Sequence, residues 1–158
     1  MIQAGHVQRL AGVQTYSLIK HIDARGWFTQ AWTSDELARA GFRPGFLQQN
    51  IAGSKHGVLR GMHRQDQTKL VTVIAGRIFD AILNPETGEW AGYTLGEGDA
   101  VYIPPHYAHG YLVLSDSAIV QYFVDAPWDV KREEQFRWDG YGIDWPLAIE
   151  PIMSAKDR

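Results

Sequence analysis

From Gly45 onward the chain is a series of short apolar runs, each closed by turn chemistry before it reaches the length of a helix. Runs rich in Val, Ile, Tyr and Phe fall at about 45–51, 57–63, 69–75, 77–83, 90–95, 100–103, 110–114 and 118–124. Such β-branched and aromatic segments favour strands. Between them stand Ala75-Gly76, Asn84-Pro85-Glu86-Thr87-Gly88, Gly96-Glu97-Gly98-Asp99 and Ser115-Asp116-Ser117, residue types that suit tight turns. Many short strands at this spacing predict a mainly β chain folded as a sandwich or jelly-roll barrel. One segment reads clearly as helix. Ser34 can cap Asp35-Glu36-Leu37-Ala38-Arg39-Ala40, acidic residues open its first turn, and Gly41 suits the exit. One or two short helices are expected in all.

Gly and Pro punctuate the chain rather than collecting in a linker, and there is no internal repeat, so a single domain over residues 1–158 is expected. The formal net charge of -3 is small and the basic residues are scattered, which argues against nucleic acid or an anionic membrane as the main partner. Anion recognition has to be local. The sequence contains no cysteine, which rules out disulfides, thiolate metal sites and a cysteine nucleophile within it. Met1–Leu10 carries Gln3, His6, Gln8 and Arg9 where a signal peptide would have an apolar core, and no run approaches membrane-spanning length. A soluble protein is expected, and a cytoplasmic location fits.

Two clusters carry the chemistry. The first is Arg60-Gly61-Met62-His63-Arg64-Gln65 with Lys69-Leu70-Val71. Alternation puts Val58 and Arg60 on one face and Gly61 and His63 on the other, unless Gly61 marks a bulge. Arg60, His63, Gln65 and Lys69 place two cations, an imidazole and an amide within one hairpin, a costly group to bury without an anionic ligand. The second cluster runs from Gly98 to Gly110 and includes Pro104, His106 and His109. Its Gly, Pro and His spacing resembles the second cupin motif, with His106 where glycine is usual. The first cluster resembles the other cupin motif, with His63-Arg64-Gln65 in place of a His-Xaa-His pair and Gly76 as the closing glycine. Two imidazoles and an amide are a poor metal set.

Landmarks along most of the chain resemble the metal-independent cupin epimerases typified by dTDP-4-dehydrorhamnose 3,5-epimerase. They are Asp23-Ala24-Arg25-Gly26-Trp27-Phe28, Gln48-Gln49-Asn50, Gly57 to His63, Lys69-Leu70-Val71, Ile103-Pro104 through Ala108-His109-Gly110, Tyr122, Trp145-Pro146 and Ser154 to Asp157. The resemblance implies a cupin-type jelly-roll β-barrel that epimerises a nucleotide-linked, dTDP-type 4-keto-6-deoxyhexose without metal or organic cofactor. It further implies a base, His63, oriented by Asp157, a proton donor, Tyr122, and Lys69 beside the keto oxygen. The chemistry asks for these types. Removing a proton next to a ketone puts negative charge on oxygen, which an ammonium stabilises, and inversion needs a base on one face of the sugar and an acid on the other. By the same resemblance Arg25, Gln48, Asn50, Arg60, His109, Glu133 and Lys156 contact the nucleotide diphosphate or the sugar, and Trp128 stacks on the base. A homodimer is implied too, with Arg25 and neighbouring strands completing the partner's pocket.

Several positions depart from the family's pattern. Gln30 stands where a glutamate often helps read the base. The link Arg64-Gln65-Asp66-Gln67-Thr68 is short, which could displace Lys69. Lys156-Asp157-Arg158 on its own reads as a solvated tail. Three alternatives to an epimerase stay open: a metal enzyme using His63 and His109, a sugar-nucleotide binding module without turnover, and a purely structural cupin.

Overall fold

A computed structural model describes residues 3, 4, 10–45 and 47–158, so most of Met1–Leu10, read above for a leader, lies outside the described residues. The elements are β1 (Gln3–Ala4), β2 (Gln14–Ser17), β3 (His21–Asp23), β4 (Gly26–Phe28), α1 (Ser34–Ala40), β5 (Gln48–Lys55), β6 (Leu59–Arg64), β7 (Lys69–Ala75), β8 (Arg77–Leu83), β9 (Trp90–Gly96), β10 (Asp99–Ile103), β11 (Ala108–Val113), β12 (Ser117–Val124) and β13 (Glu134–Gln135). They form a mainly β jelly roll. Among the described residues one sheet, A, has the order β1-β9-β8-β11-β6-β13, a second, B, has β2-β10-β7-β12-β5, and β3 pairs with β4 in a separate hairpin.

Period-two alternation sorts each strand between two environments. In β8, Ile78 and Ile82 point between the sheets while Phe79, Ala81 and Leu83 pack on the outer face of sheet A, under Phe136, Trp138, Tyr141 and Trp145 of the C-terminal segment. In β7 and β12, Val71, Val73 and Val120 join the inner core, whereas Leu70 and Phe123 meet Leu37 and Phe42 around α1. Tyr111, Leu59, Met62 and Ile78 are fully buried.

The helix lies where expected, but its cap is Thr33 rather than Ser34. Thr33 Oγ1 accepts from Glu36 N (3.3 Å) and the Glu36 carboxylate accepts from Thr33 N (2.6 Å). That reciprocal pair needs a hydroxyl three residues before the glutamate, which Ser34 is not. Gly41 closes the helix in the left-handed conformation, φ 98°.

Strands β6 and β11 approach so closely that both carry glycine at the crossing. A Cβ on Gly61 (φ 121°) would lie 2.5 Å from Gly110 Cα, and one on Gly110 would lie 2.7 Å from Met62 Sδ. The register slips between His109 and Tyr111, which leaves His109 directly opposite His63. This is the bulge that the sequence left open at Gly61. It turns Arg60 and His63, three residues apart, toward the same cavity, while Met62 is buried on the other side of the sheet.

Candidate active site

The cavity opens at the end of the sandwich where β7 begins and β12 ends, with a volume of about 190 Å³. Sheet A contributes Arg60, His63 and Arg64 from β6 and His109 and Tyr111 from β11; sheet B contributes Asn50 from β5, Lys69 from β7 and Tyr122 and Val124 from β12. The loop after β12 adds Trp128 and Glu133. Deeper between the sheets the inward positions are mainly aliphatic, so the polar end is bounded by an apolar floor.

His63 Nε2 lies 2.7 Å from Asp157 Oδ1, and the Asp157 side chain is only 4% exposed. The tail reading is therefore corrected for Asp157. Ile152 bridges Val58 in parallel, Leu59 N donates to Ile152 O (3.0 Å), and Asp157 N donates to Ser154 O (3.1 Å), which lays the segment along β6. With Nε2–H directed at Asp157, Nδ1 carries the lone pair, and its nearest carboxylate oxygen, Glu133 Oε1, is 3.9 Å away, beyond hydrogen-bond reach. Glu133 is otherwise engaged: Lys156 Nζ donates to Oε2 (2.7 Å) and Trp128 Nε1 to Oε1 (3.1 Å). Burial acts to raise the Glu133 carboxyl, and these donors outweigh it, leaving its pKa below the ordinary value.

Lys69 is buried, and its Nζ has no hydrogen-bond partner. Burial lowers its pKa from 10.5 to about 8 against the pull of Asp125, Glu133 and Asp66. An unpaired amine in a polar cavity is a donor awaiting an acceptor. With the short link before it, Lys69 still lines the cavity. Thr68 N donates to Asp125 Oδ1 (2.8 Å), Asp125 is also held by Arg43 (3.0 Å), and Arg43 Nη2 donates to Asp66 O (2.6 Å), so the link is braced from both sides.

On sheet B, Tyr122 is largely withdrawn from solvent, and burial pushes its phenol well above 10. Its hydroxyl donates to Tyr111 Oη at 3.3 Å. His109 Nε2 lies 2.7 Å from Asp80 Oδ2, and Asp80 is wholly buried, with its other oxygen unpaired. Two of the cavity's three cations remain for an anion. Arg64 is neutralised by Glu86 and Glu134, whereas Arg60 bonds only the Ser54 hydroxyl through Nε (3.1 Å), leaving Nη1 and Nη2 for a ligand.

The remaining residues named from sequence are distributed unevenly. Gln48 donates to Asn50 Oδ1 (2.7 Å) and accepts from Trp128 N (3.4 Å), standing just behind the cavity wall. Lys156 is on the rim, tied to Glu133. Arg25 lies apart from the cavity at the β3–β4 turn, its side chain 90% exposed and paired with Asp23. Gln30 lines a different hollow of about 410 Å³, between α1 and the outer face of sheet B, whose walls include Tyr16, Trp32, Leu37 and Tyr102.

Asp80, Tyr111 and Gln67 were not singled out by sequence reasoning. A lone aspartate inside Arg77–Leu83, at an inward position between Ile78 and Ile82, is the signal that could have found Asp80. Gln65, read as a weak metal ligand, instead works with Gln67 as a clamp: Gln65 Nε2 donates to Pro127 O (2.8 Å) and its Oε1 accepts from Asp129 N (3.0 Å), while Gln67 Nε2 donates to Ala126 O (2.7 Å). Together they fix the loop that presents Trp128. Among the described residues no three His, Cys, Asp or Glu side chains converge as a metal-ligand cluster, and no helix is long and apolar enough to cross a membrane.

Residues 8–158 match the family model described as dTDP-4-dehydrorhamnose 3,5-epimerase. A curated relative, the dTDP-4-dehydrorhamnose 3,5-epimerase of Methanothermobacter thermautotrophicus, is 38% identical over 152 residues, covering 87% of this chain and 82% of its own. The solved structure of a dTDP-6-deoxy-D-glucose-3,5-epimerase from Legionella pneumophila, in complex with dTDP-4-keto-L-rhamnose, matches with a TM-score of 0.88 at 29% identity over 99% of this chain and 90% of that one. A 3'-monoepimerase from Streptomyces bikiniensis in complex with dTDP-quinovose matches with a TM-score of 0.85 at 26% identity, over 96% and 84%.

Proposed function

The chain belongs to the dTDP-4-dehydrorhamnose 3,5-epimerase family and is an isomerase of that family; from that premise we propose a mechanism for inverting C3, C5 or both of a dTDP-linked 4-keto-6-deoxyhexose. His63 Nδ1 takes the proton from the carbon beside the ketone, Asp157 stabilises the imidazolium that forms, and the Lys69 ammonium faces the oxygen on which enolate charge develops. Tyr122 then returns a proton to the opposite face. The observation that carries this reading is the division of labour between the sheets: His63, backed by Asp157 of the C-terminal segment, belongs to sheet A, while Lys69 and Tyr122 belong to sheet B. A flat ring held between them meets base and acid on opposite faces, as inversion requires.

Arg60 and His109 serve the diphosphate and the sugar, Asn50 with Gln48 adds polar contacts, and Trp128 stacks on the nucleobase. Glu133 and Lys156 act as a pair on the rim. The protein works as one domain and as a homodimer. The apolar Ile51, Ile74 and Ile119, exposed together on the outer face of sheet B, support the dimer, as do Ile22 and Phe28 exposed on the β3–β4 hairpin. In the dimer Arg25 reaches the partner's pocket. Mixing inactive His63→Ala and Arg25→Ala chains should then restore turnover, because one site of the mixed dimer is whole; a mixture that stays inactive refutes the shared site.

The test of the reaction is deuterium uptake from heavy water into dTDP-4-keto-6-deoxyglucose, followed by NMR together with product stereochemistry. Exchange at C3 alone identifies a 3-epimerase, and exchange at C3 and C5 a double epimerase. Absence of exchange with bound substrate overturns the proposal. His63→Ala should lose exchange and keep nucleotide binding.

A further inference from the structure

Once Tyr122 has given up its proton it is left as a phenolate. Its oxygen lies in a buried part of the cavity, where water is scarce and a phenolate is poorly solvated. The hydroxyl nearest to it belongs to Tyr111, which reaches across from the opposite sheet. Tyr111 is 1% exposed and occupies an inward position of β11 between His109 and Val113. The rings of His109, Tyr111 and Tyr122 form a triangle with 6.4 Å between each pair of centroids, and His109 is backed by buried Asp80. A phenylalanine at 111 would fill the same space without a polar atom to satisfy. The extra hydroxyl has a partner, and that partner is the proposed acid.

We propose that Tyr111 is a positioning residue for proton delivery by Tyr122, accepting the Tyr122 hydroxyl at rest and, once that hydroxyl turns to the substrate carbon, donating its own hydroxyl to the Tyr122 oxygen. This rests on the reading of Tyr122 as the acid. In the step itself the Tyr122 O–H bond breaks, the enolate's electron pair forms the new C–H bond, and the phenolate's charge replaces the enolate's, while His63 keeps the proton it abstracted. A hydroxyl is both donor and acceptor, so the Tyr111 O–H needs only to rotate for the contact to reverse direction. At 3.3 Å the pair is longer than a strong hydroxyl–hydroxyl bond, and it shortens when charge appears on one oxygen. At rest the contact holds the Tyr122 oxygen in place; during and after transfer it supplies the donor that buried water cannot.

Tyr111→Phe separates this role from a structural one, because removal of a proton by His63 does not involve the tyrosine pair. Isotope exchange at the reacting carbon and KM should stay within about twofold of the parent, while inversion falls about tenfold to a hundredfold, the weight of one hydrogen bond to a charged group. In a Tyr122→Phe background the same change should cost nothing further. Inversion that is unchanged in Tyr111→Phe but lost in Tyr122→Phe overturns the proposal and leaves Tyr122 as the acid. Equal losses of exchange and inversion, or additive losses in the double variant, overturn it as well. Normal inversion in Tyr122→Phe itself refutes the underlying reading of the acid, and the proposal with it.

Discussion

Replacing Lys69 by methionine should make the protein more stable and nearly inactive. The native state holds this amine where burial has brought its pKa from 10.5 to about 8. That displacement corresponds to a penalty of about 3 kcal/mol for keeping the lysine charged in the fold at pH below 8. Methionine matches the lysine stem in length and carries no charge to desolvate, so unfolding in urea at pH 6.5 should require about 1–3 kcal/mol more than in the parent. The difference depends on pH in a set direction. Between about 8 and 10.5 the unfolded chain binds the Lys69 proton and the native chain does not, so parent stability rises with pH across that window and the gap to Lys69→Met closes. Activity moves the other way. The ammonium that would meet the enolate oxygen is lost as pH passes about 8, which sets a basic limb there, and the methionine variant should lose at least about a hundredfold in kcat at every pH. A Lys69→Met protein less stable than the parent at pH 6.5, or one that keeps kcat within about threefold, would falsify the assignment of an unpaired, strained cation awaiting substrate oxygen.

Asp157→Asn should slow isotope exchange by about a hundredfold or more with KM little changed, since an amide no longer fixes the tautomer that leaves Nδ1 basic; parent-like exchange would remove Asp157 from the mechanism. Gln65→Ala frees Pro127 O and Asp129 N and should raise KM for the nucleotide sugar about 5- to 30-fold with kcat nearly constant, a split read directly from steady-state kinetics. In Gly110→Ala the new Cβ would sit 2.8 Å from Arg60 O and 2.7 Å from Met62 Sδ. A loss of about 3 kcal/mol is expected, seen as a fall in Tm of roughly 6–12 °C, and an unchanged Tm would contradict the close crossing of β6 and β11.

Where strands are bounded by turn chemistry and bury one face or both, the sequence locates them well. Lys69–Ala75 and Arg77–Leu83 match their expected bounds, with Ala75-Gly76 turning the chain between them. The β2 strand and the β3–β4 hairpin escaped notice because every residue in them is exposed, so no inside-outside alternation marks them. Strand β13 is two exposed residues long and offers no pattern at all. In the site, His63, Lys69 and His109 were legible because ionisable groups interrupt apolar strands. Asp157 was reached only through the family resemblance, since nothing local distinguishes it from a surface tail; its burial comes from Ile152 pairing with Gly57 and Leu59 almost a hundred residues earlier. Arg60 facing the same cavity as His63 was equally hidden, because a strand's period forbids it until the glycine crossing is known.

The division of the reacting groups between two sheets gives the aliphatic end of the sandwich a metric role. Packed sheets lie about 10 Å apart, a spacing set by the bulk of the side chains between them. In the proposed mechanism Val71, Val73, Val120, Ile78 and Val113 therefore act as spacers for the span over which a proton has to travel from one wall to the ring and from the ring to the other. A single added methylene at Val120 or Val113 lies in the core on which Tyr122 packs and carries no proton itself, yet in the proposed mechanism it widens the gauge between His63 and Tyr122. Proton transfer falls steeply with distance, so that mechanism makes the caliper of a hydrocarbon core, as well as the groups that carry the protons, a determinant of stereochemical outcome.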